Sequence, residues 1–172
     1  MPASSVEDVV HGILDAWNAR DISRMLEHLT DDVEWYDPAM PDPPARGKEA
    51  IRRFSESVFV AFPDFAYEVR PPICVAPDGS RCAVPFRITA TSTGPLVPPG
   101  WAPSGRRVTI DGVDVLDLRG DRACRIHTLF DLIPAAEQLL GVTLRPDPRT
   151  VRGRLLVGAQ RVAAAWARRR RS

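Results

Sequence analysis

The apolar spacing of this chain changes character about a third of the way along, and that change limits the folds open to it. Val6, Val9, Val10, Ile13, Leu14 and Trp17 recur at helical spacing and predict a first helix ending near Asn18 to Arg20. Asp21 is placed to cap a second helix carrying Ile22, Met25, Leu26 and Leu29. After a turn at Thr30 to Asp32, a short strand from Val33 to Tyr36 is stopped by Asp37 and Pro38. A Pro-rich loop from Met40 to Arg46 then leads to Gly47, which opens a third helix with Ile51, Phe54 and Val58 on its inner side. From there strands are predicted over Asp64 to Val75, Arg81 to Thr93 and Arg106 to Leu118, with a hairpin partner closing at Asp131. Pro77-Asp78-Gly79 marks a turn between the first two. Helices gathered before a curved antiparallel sheet make an α+β domain, not an alternating parallel one.

The last hairpin, Ile110 to Leu132, carries acids where packing alone favours apolar residues. Ile110, Gly112, Asp114 and Leu116 share one strand face. A carboxylate there is paired with a specific partner or held partly protonated, because burying a bare charge is costly. On the next strand His127, Leu129 and Asp131 share one side, and Ile126, Thr128 and Phe130 the other. If the strands pair across Arg119 to Arg122, Asp114 and Asp131 look into one concavity. Asp131 is also suited to cap a helix beginning near Ile133 and Pro134.

At 172 residues the chain is long enough for a domain with a sizeable core. No apolar run spans a bilayer, and Met1 to Ser5 does not lead into a secretory signal, so a cytoplasmic location is expected. Cys74, Cys82 and Cys124 follow no ligand spacing, and His11, His28 and His127 are scattered, so neither a metal nor a disulfide framework is predicted. Charge is unevenly spread. Residues 1–147 hold 15 Lys and Arg against all 22 acids, whereas residues 148–172 hold 8 arginines and no acid. In that tail Val151, Leu155, Val162 and Trp166 form a helical stripe among arginines. An amphipathic helix of this kind packs on the acidic body, pairs with another subunit or rests on an anionic membrane surface. The closing arginines, without aromatic interleaving or a recognised module, are a weak signal for nucleic acid, which is not an expected partner.

The order of short motifs resembles the SnoaL-like members of the nuclear-transport-factor-2-like superfamily. These are WNARD at Trp17 to Asp21, TDDVEWYDP at Thr30 to Pro38, RGKEAI at Arg46 to Ile51, FPDF at Phe62 to Phe65, then GVDVLDL and LFDL. The resemblance implies a SnoaL-like domain over residues 1–141 and sets residues 142–172 apart as an Arg-rich helical extension. It also implies a cone-shaped fold whose curved, mostly antiparallel sheet wraps the helices and encloses a pocket.

In SnoaL-like polyketide cyclases an aspartate of the last strand is the general acid/base, and Asp131 looks like its counterpart. Ketosteroid isomerases share the superfamily, and AVPFRITATSTG at Ala83 to Gly94 is similar to their central strand. By that likeness Asp37 falls on the general base and Asp114 on the acid that hydrogen-bonds the enolate oxygen. The isomerase tyrosine of the first helix falls on Ile13 here, leaving Tyr36 and Tyr67 as the chain's tyrosines. A third relative, limonene-epoxide hydrolase, uses an Asp-Arg-Asp set for which Arg87 and Asp131 stand at similar places, with Thr89 where the water-activating acid belongs.

The implied activity is cofactor-independent cyclisation or isomerisation of a small apolar carbonyl compound. Asp131, Asp114, Asp37 and His127 are the candidate catalytic groups, His127 because an imidazole is suited to proton transfer near neutrality; the alternatives are a structural hydrogen bond for His127 and a turn before Pro38 for Asp37. Trp17, Tyr36, Phe54, Phe86, Ile88, Trp101 and Leu129 are the candidate substrate contacts, and the Pro-rich loop Gly94 to Ser104 is either a lid over them or a surface loop whose Trp101 fills a neighbour's groove. The competing reading is a noncatalytic ligand-binding or dimerising module of the same fold. Members of the superfamily dimerise through the outer sheet face, which points to a homodimer using Val113 and Val115.

Overall fold

The structure, a computed structural model, describes residues 5–40, 42–97, 100–145, 147 and 149–169. The chain divides into two compact units, Met1–Leu140 and Gly141–Ser172.

In the first unit, helix α1 (Val6–Asn18) opens on a capping box. Ser5 Oγ accepts from Asp8 N at 3.1 Å, and Asp8 Oδ2 accepts from Ser5 N at 2.9 Å. It closes on a paired turn in which Arg20 N donates to Trp17 O and Asp21 N to Ala16 O, with Arg20 in the left-handed region at φ 62°. A left-handed non-glycine residue costs about 1 kcal/mol. Here the Arg20 guanidinium offsets that cost by donating to Asn18 O and Pro63 O while lying over the Phe59 ring. Asp21 caps α2 (Ile22–Glu27) by accepting from Arg24 N at 2.9 Å. Strand β1 (Leu29–Tyr36) takes in the predicted turn at Thr30 to Asp32, because Leu29 is fully buried and pairs with Ala123; a bulge between Leu29 and Glu34 absorbs the mismatch. The short β2 (Ala45–Arg46) leads into α3 (Gly47–Ala61), whose Ile51, Val58 and Ala61 are buried.

The predicted strand over Asp64 to Val75 is two strands, β3 (Ala66–Val69) and β4 (Cys74–Val75). Pro71 and Pro72 lie between them, and neither has an N–H to give to the ladder. The long strands β5 (Arg81–Thr91), β6 (Arg107–Arg119) and β7 (Arg122–Phe130) follow, then α4 (Leu132–Leu140). The sheet runs β2-β1-β7-β6-β5-β3 with β4 also on β5; β1 and β7 are parallel and the other pairs antiparallel. The α+β class is as expected.

The two faces of the sheet differ in kind. Inward alternation buries Cys82, Val84, Phe86, Ile88 and Ala90 of β5 against the helices. Outward, a row of alternating charge crosses five strands: Arg46 pairs with Glu34, Glu34 and Asp117 with Arg125, and Asp117 with Arg81.

Two side-chain amides finish the sheet where strands run out. β6 extends beyond β7, and there Gln138 of α4 accepts from Thr109 N at 2.8 Å and donates to Thr109 O at 3.1 Å. On the free edge of β3, Asn18 does the same for Tyr67, donating to its O and accepting from its N, both at 2.8 Å.

The second unit is built around α5 (Val151–Arg169). Thr150 Oγ1 accepts from Gly153 N at 3.0 Å and donates to Asp147 O, a local N-terminal cap. Val151, Leu155, Val162 and Trp166 of the predicted stripe are exposed. Arg170 and Arg171 of the closing arginine run lie outside the described residues. Among the described residues no helix is long and apolar enough to cross a membrane.

Candidate active site

Helices α1, α3 and α4 and the inner sheet face enclose a cavity of about 540 Å³. Its wall is almost wholly apolar, with Ile13, Trp17, Phe54, Phe65, Ile88 and Leu139 among its members. This is the usual character of a site that takes a small molecule and orients it with a few polar groups. Those groups are Asp37, Asp114, Tyr67 and Thr128.

Asp114 stands at the middle of β6 on the inward face, 7% exposed, opposite Val84 on one side and Thr128 on the other. Its Oδ2 accepts from the Tyr67 hydroxyl at 2.7 Å. Its Oδ1 is buried with no hydrogen-bond partner among the described residues. Loss of water dominates and pushes the Asp114 carboxyl up; the Thr128 and Tyr67 hydroxyls only partly counter it. Thr128 is oriented from behind, its Oγ1 accepting from Trp35 Nε1 at 2.9 Å. Burial first, and then the charge and hydrogen bond of Asp114, push the Tyr67 phenol up as well, so it remains neutral at physiological pH.

Asp37 follows β1 and lines the same cavity. Its Oδ1 accepts from Ala39 N at 2.7 Å, the expected turn geometry before Pro38. Burial, with a smaller contribution from the neighbouring Asp114, raises its pKa to about 6 against that bond. The two carboxyls thus sense one another across an apolar space, and among the described residues no arginine or lysine lines it.

Tyr67 is held in place by packing as well as by hydrogen bonds. Its ring lies against Phe86, with centroids 4.9 Å apart. Phe86 in turn occupies the room left by its cross-strand partner Gly112, where a Cβ would come within 2.4 Å of the Phe86 ring.

The structure brings Asp37, Asp114, Trp17, Phe54, Ile88 and Trp101 to one cavity and takes other expected residues away from it. Asp131 is exposed beyond the end of β7, does not line the cavity, and accepts from Ile133 N at 3.0 Å as the cap of α4. The hairpin does pair across Arg119 to Arg122, yet strand alternation turns Ile126, Thr128 and Phe130 inward and His127, Leu129 and Asp131 outward. His127 is accordingly exposed and packs with Tyr36 on the outer face, centroids 5.5 Å apart. Leu129 is 47% exposed on that face. Phe86 is fully buried beneath Tyr67 and is no part of the cavity wall. Arg87 points outward into a two-pronged pair with Asp111, at 2.7 and 2.8 Å. The epoxide-hydrolase set is therefore not assembled: neither Arg87 nor Asp131 lines the cavity. In the loop Gly94 to Ser104, Leu96 and Trp101 exchange backbone hydrogen bonds at 3.0 Å and both line the cavity. Pro98 and Pro99 of that loop lie outside the described residues.

The sequence assigns no site role to Tyr67, Thr128 or Trp35. Alternation in Phe65, Tyr67 and Val69 marks Tyr67 as inward-facing. Its partner, 47 positions away, follows only from strand order and register.

The fold recurs among solved structures. AclR from Streptomyces galilaeus, assigned as a hydroxylase, is 22% identical over 97% of each chain, with a TM-score of 0.65. A protein from Jannaschia sp. CCS1, assigned as a SnoaL-like polyketide cyclase, is 20% identical, with 81% of this chain and 94% of that one covered and a TM-score of 0.69. TerC, co-crystallised with polyporic acid, is 21% identical over 80% of this chain and 99% of its own, with a TM-score of 0.65. No curated protein sequence matches. The family profile described as "SnoaL-like domain" matches residues 10–126, most of the chain, and the protein belongs to the SnoaL-like domain family of the nuclear-transport-factor-2-like fold.

Proposed function

We propose that this protein is a cofactor-independent acid/base enzyme. It removes a proton next to the carbonyl of a small, largely apolar ketone and returns one elsewhere, in a cyclisation or isomerisation of polyketide type. The observation that carries the proposal is the pair Asp37 and Asp114, set in one apolar cavity with both carboxyls raised by burial and Tyr67 bound to the second.

Above pH 6 Asp37 is ionised and acts as the base. In this reading Asp114, the more completely buried carboxyl, carries the second proton and donates it as a hydrogen bond to the substrate carbonyl oxygen, where negative charge develops. The enolate carbon then attacks a second carbonyl of the same molecule, forming the C–C bond. The proton held on Asp37 passes to the new alkoxide, and the enzyme is restored. In an isomerisation the same proton is delivered to a different carbon. Enclosing one flexible molecule between Trp17, Phe54 and Ile88 supplies the orientation that an intramolecular closure needs. TerC was crystallised with an organic small molecule, which supports a ligand of that size here.

Hydrogen exchange at the α-carbon of bicyclic ketones such as 2-tetralone in D₂O, followed by NMR, tests the chemistry without knowledge of the natural substrate. The protein accelerates exchange, and Asp37→Asn or Asp114→Asn abolishes the acceleration. Ketones that bind without accelerated exchange support instead a noncatalytic ligand-binding module. A homodimer through the outer face remains part of the proposal: Val113 and Val115 are half-buried there beside exposed Leu129, and sedimentation equilibrium reads it.

A further inference from the structure

Asn18 lies outside the cavity wall, yet its carboxamide binds the backbone of Tyr67. β3 is an edge strand of four residues, paired among the described residues with β5 alone. Tyr67 is opposite Ile88 in that ladder, and its N–H and C=O meet the Asn18 carboxamide, both at 2.8 Å. One planar amide thus offers the donor and acceptor that a neighbouring strand would offer. Asn18 is itself doubly held: it ends α1, and its carbonyl accepts from Arg20 Nη1 at 2.7 Å while the other arm of Arg20 donates to Pro63 O at 2.8 Å. The chain of contact runs Arg20 to Asn18, Asn18 to the Tyr67 backbone, and the Tyr67 hydroxyl to Asp114.

We infer that Asn18 is a positioning residue of the site, holding the β3 edge so that the Tyr67 hydroxyl stays on Asp114. A short edge strand anchored on one side only is free to shift along its ladder or fray, and a shift of a few tenths of an ångström is enough to lengthen a 2.7 Å hydrogen bond. The inference rests on the reading of Asp114 as the group that holds the proton, and its test needs neither a substrate nor turnover.

The test is a ¹³C NMR titration of the Asp114 carboxyl in the full chain with labelled aspartate. Asp114 is faced by Tyr67 from β3, Thr128 from β7, Cys82 from β5 and Asp37 at the end of β1, and of these only Asp37 is charged near neutrality. Tyr67→Phe removes a donor to the carboxylate, so the Asp114 midpoint moves up. Asn18→Ala moves it in the same direction by a smaller amount, and the double variant titrates like Tyr67→Phe alone. Asn18→Gln, which keeps the amide one methylene further out, falls between Asn18→Ala and the wild type and gives the same reading where the alanine variant does not fold. A purely structural clamp predicts lower stability in the Asn18 variants with the Asp114 midpoint unmoved. That result, or shifts that add in the double variant, overturns the inference. Failure of ketone exchange with these midpoints shifted as described contradicts the proposed reaction and leaves the positioning role intact.

Discussion

The two faces of one sheet treat the same residue type in opposite ways. Outside, Glu34, Asp111 and Asp117 each meet an arginine, and Asp111 is held below the ordinary carboxylate range by Arg87. Inside, Asp37 and Asp114 meet hydroxyls, one backbone amide and each other, and both are raised. Asp111 and Asp114 are three positions apart on β6, so strand alternation alone separates a structural ion pair from a candidate acid. The partner supplied by the fold, not the residue, sets the protonation state.

The contrast is broken most sharply at the level of chemistry. Asp37→Asn and Asp114→Asn are each expected to lower ketone exchange by about 10²- to 10⁴-fold, whereas Asp131→Asn leaves it within a few-fold of wild type, measured side by side by NMR. The wild-type rate rises with pH through about 6, as Asp37 ionises.

Stability gives the next effect, and its sign is particular to the inner face. The folded pKa of Asp37 is raised from 3.8 to about 6. Its contribution is therefore full below the unfolded value and is lost as pH rises from about 4 through 6, by up to about 3 kcal/mol. Urea unfolding at a series of pH values checks this, since Asp37→Asn flattens the fall. A smaller loss attends the cap: Asp131→Ala costs about 1 kcal/mol, read as an earlier unfolding midpoint, while Asp131→Asn costs little because asparagine caps equally well. Smallest of all is Asp111→Asn. It removes an exposed pair, and its effect on the unfolding midpoint shrinks further as salt is added.

Much of the fold is legible in the sequence. Helix ends were marked by Asp21 and Gly47, and the sheet's order by turns at Pro77 to Gly79 and Arg119 to Arg122, because capping and turn chemistry are local. Asp114 was legible because its face-mates Ile110 and Leu116 are apolar, and β6 does bury that face at Leu116. The acid that follows β7 is harder to place, for a related reason. Alternation divides β7 into two faces without saying which turns inward. Ile126 and Phe130 gave the inner face away, but the likeness of Asp131 to a catalytic aspartate pointed to the other. Tyr67 and Asn18 were out of reach because their partners depend on register: Tyr67 meets Asp114 only through the order β3-β5-β6, and Asn18 meets Tyr67 across 49 positions. The break between β3 and β4 was in plain view at Pro71-Pro72 and was outweighed by the apolar run around it.

The proposed site uses Asp114 inside the cavity and not Asp131, which lies outside it. Calorimetric titration with 2-naphthol, an uncharged aromatic enol small enough for a cavity of about 540 Å³, tests this most directly. The account predicts at least about a tenfold loss of affinity in Asp114→Leu, where the buried hydrogen-bonding partner is gone, and wild-type affinity in Asp131→Ala. Wild-type affinity in Asp114→Leu together with loss in Asp131→Ala would contradict it.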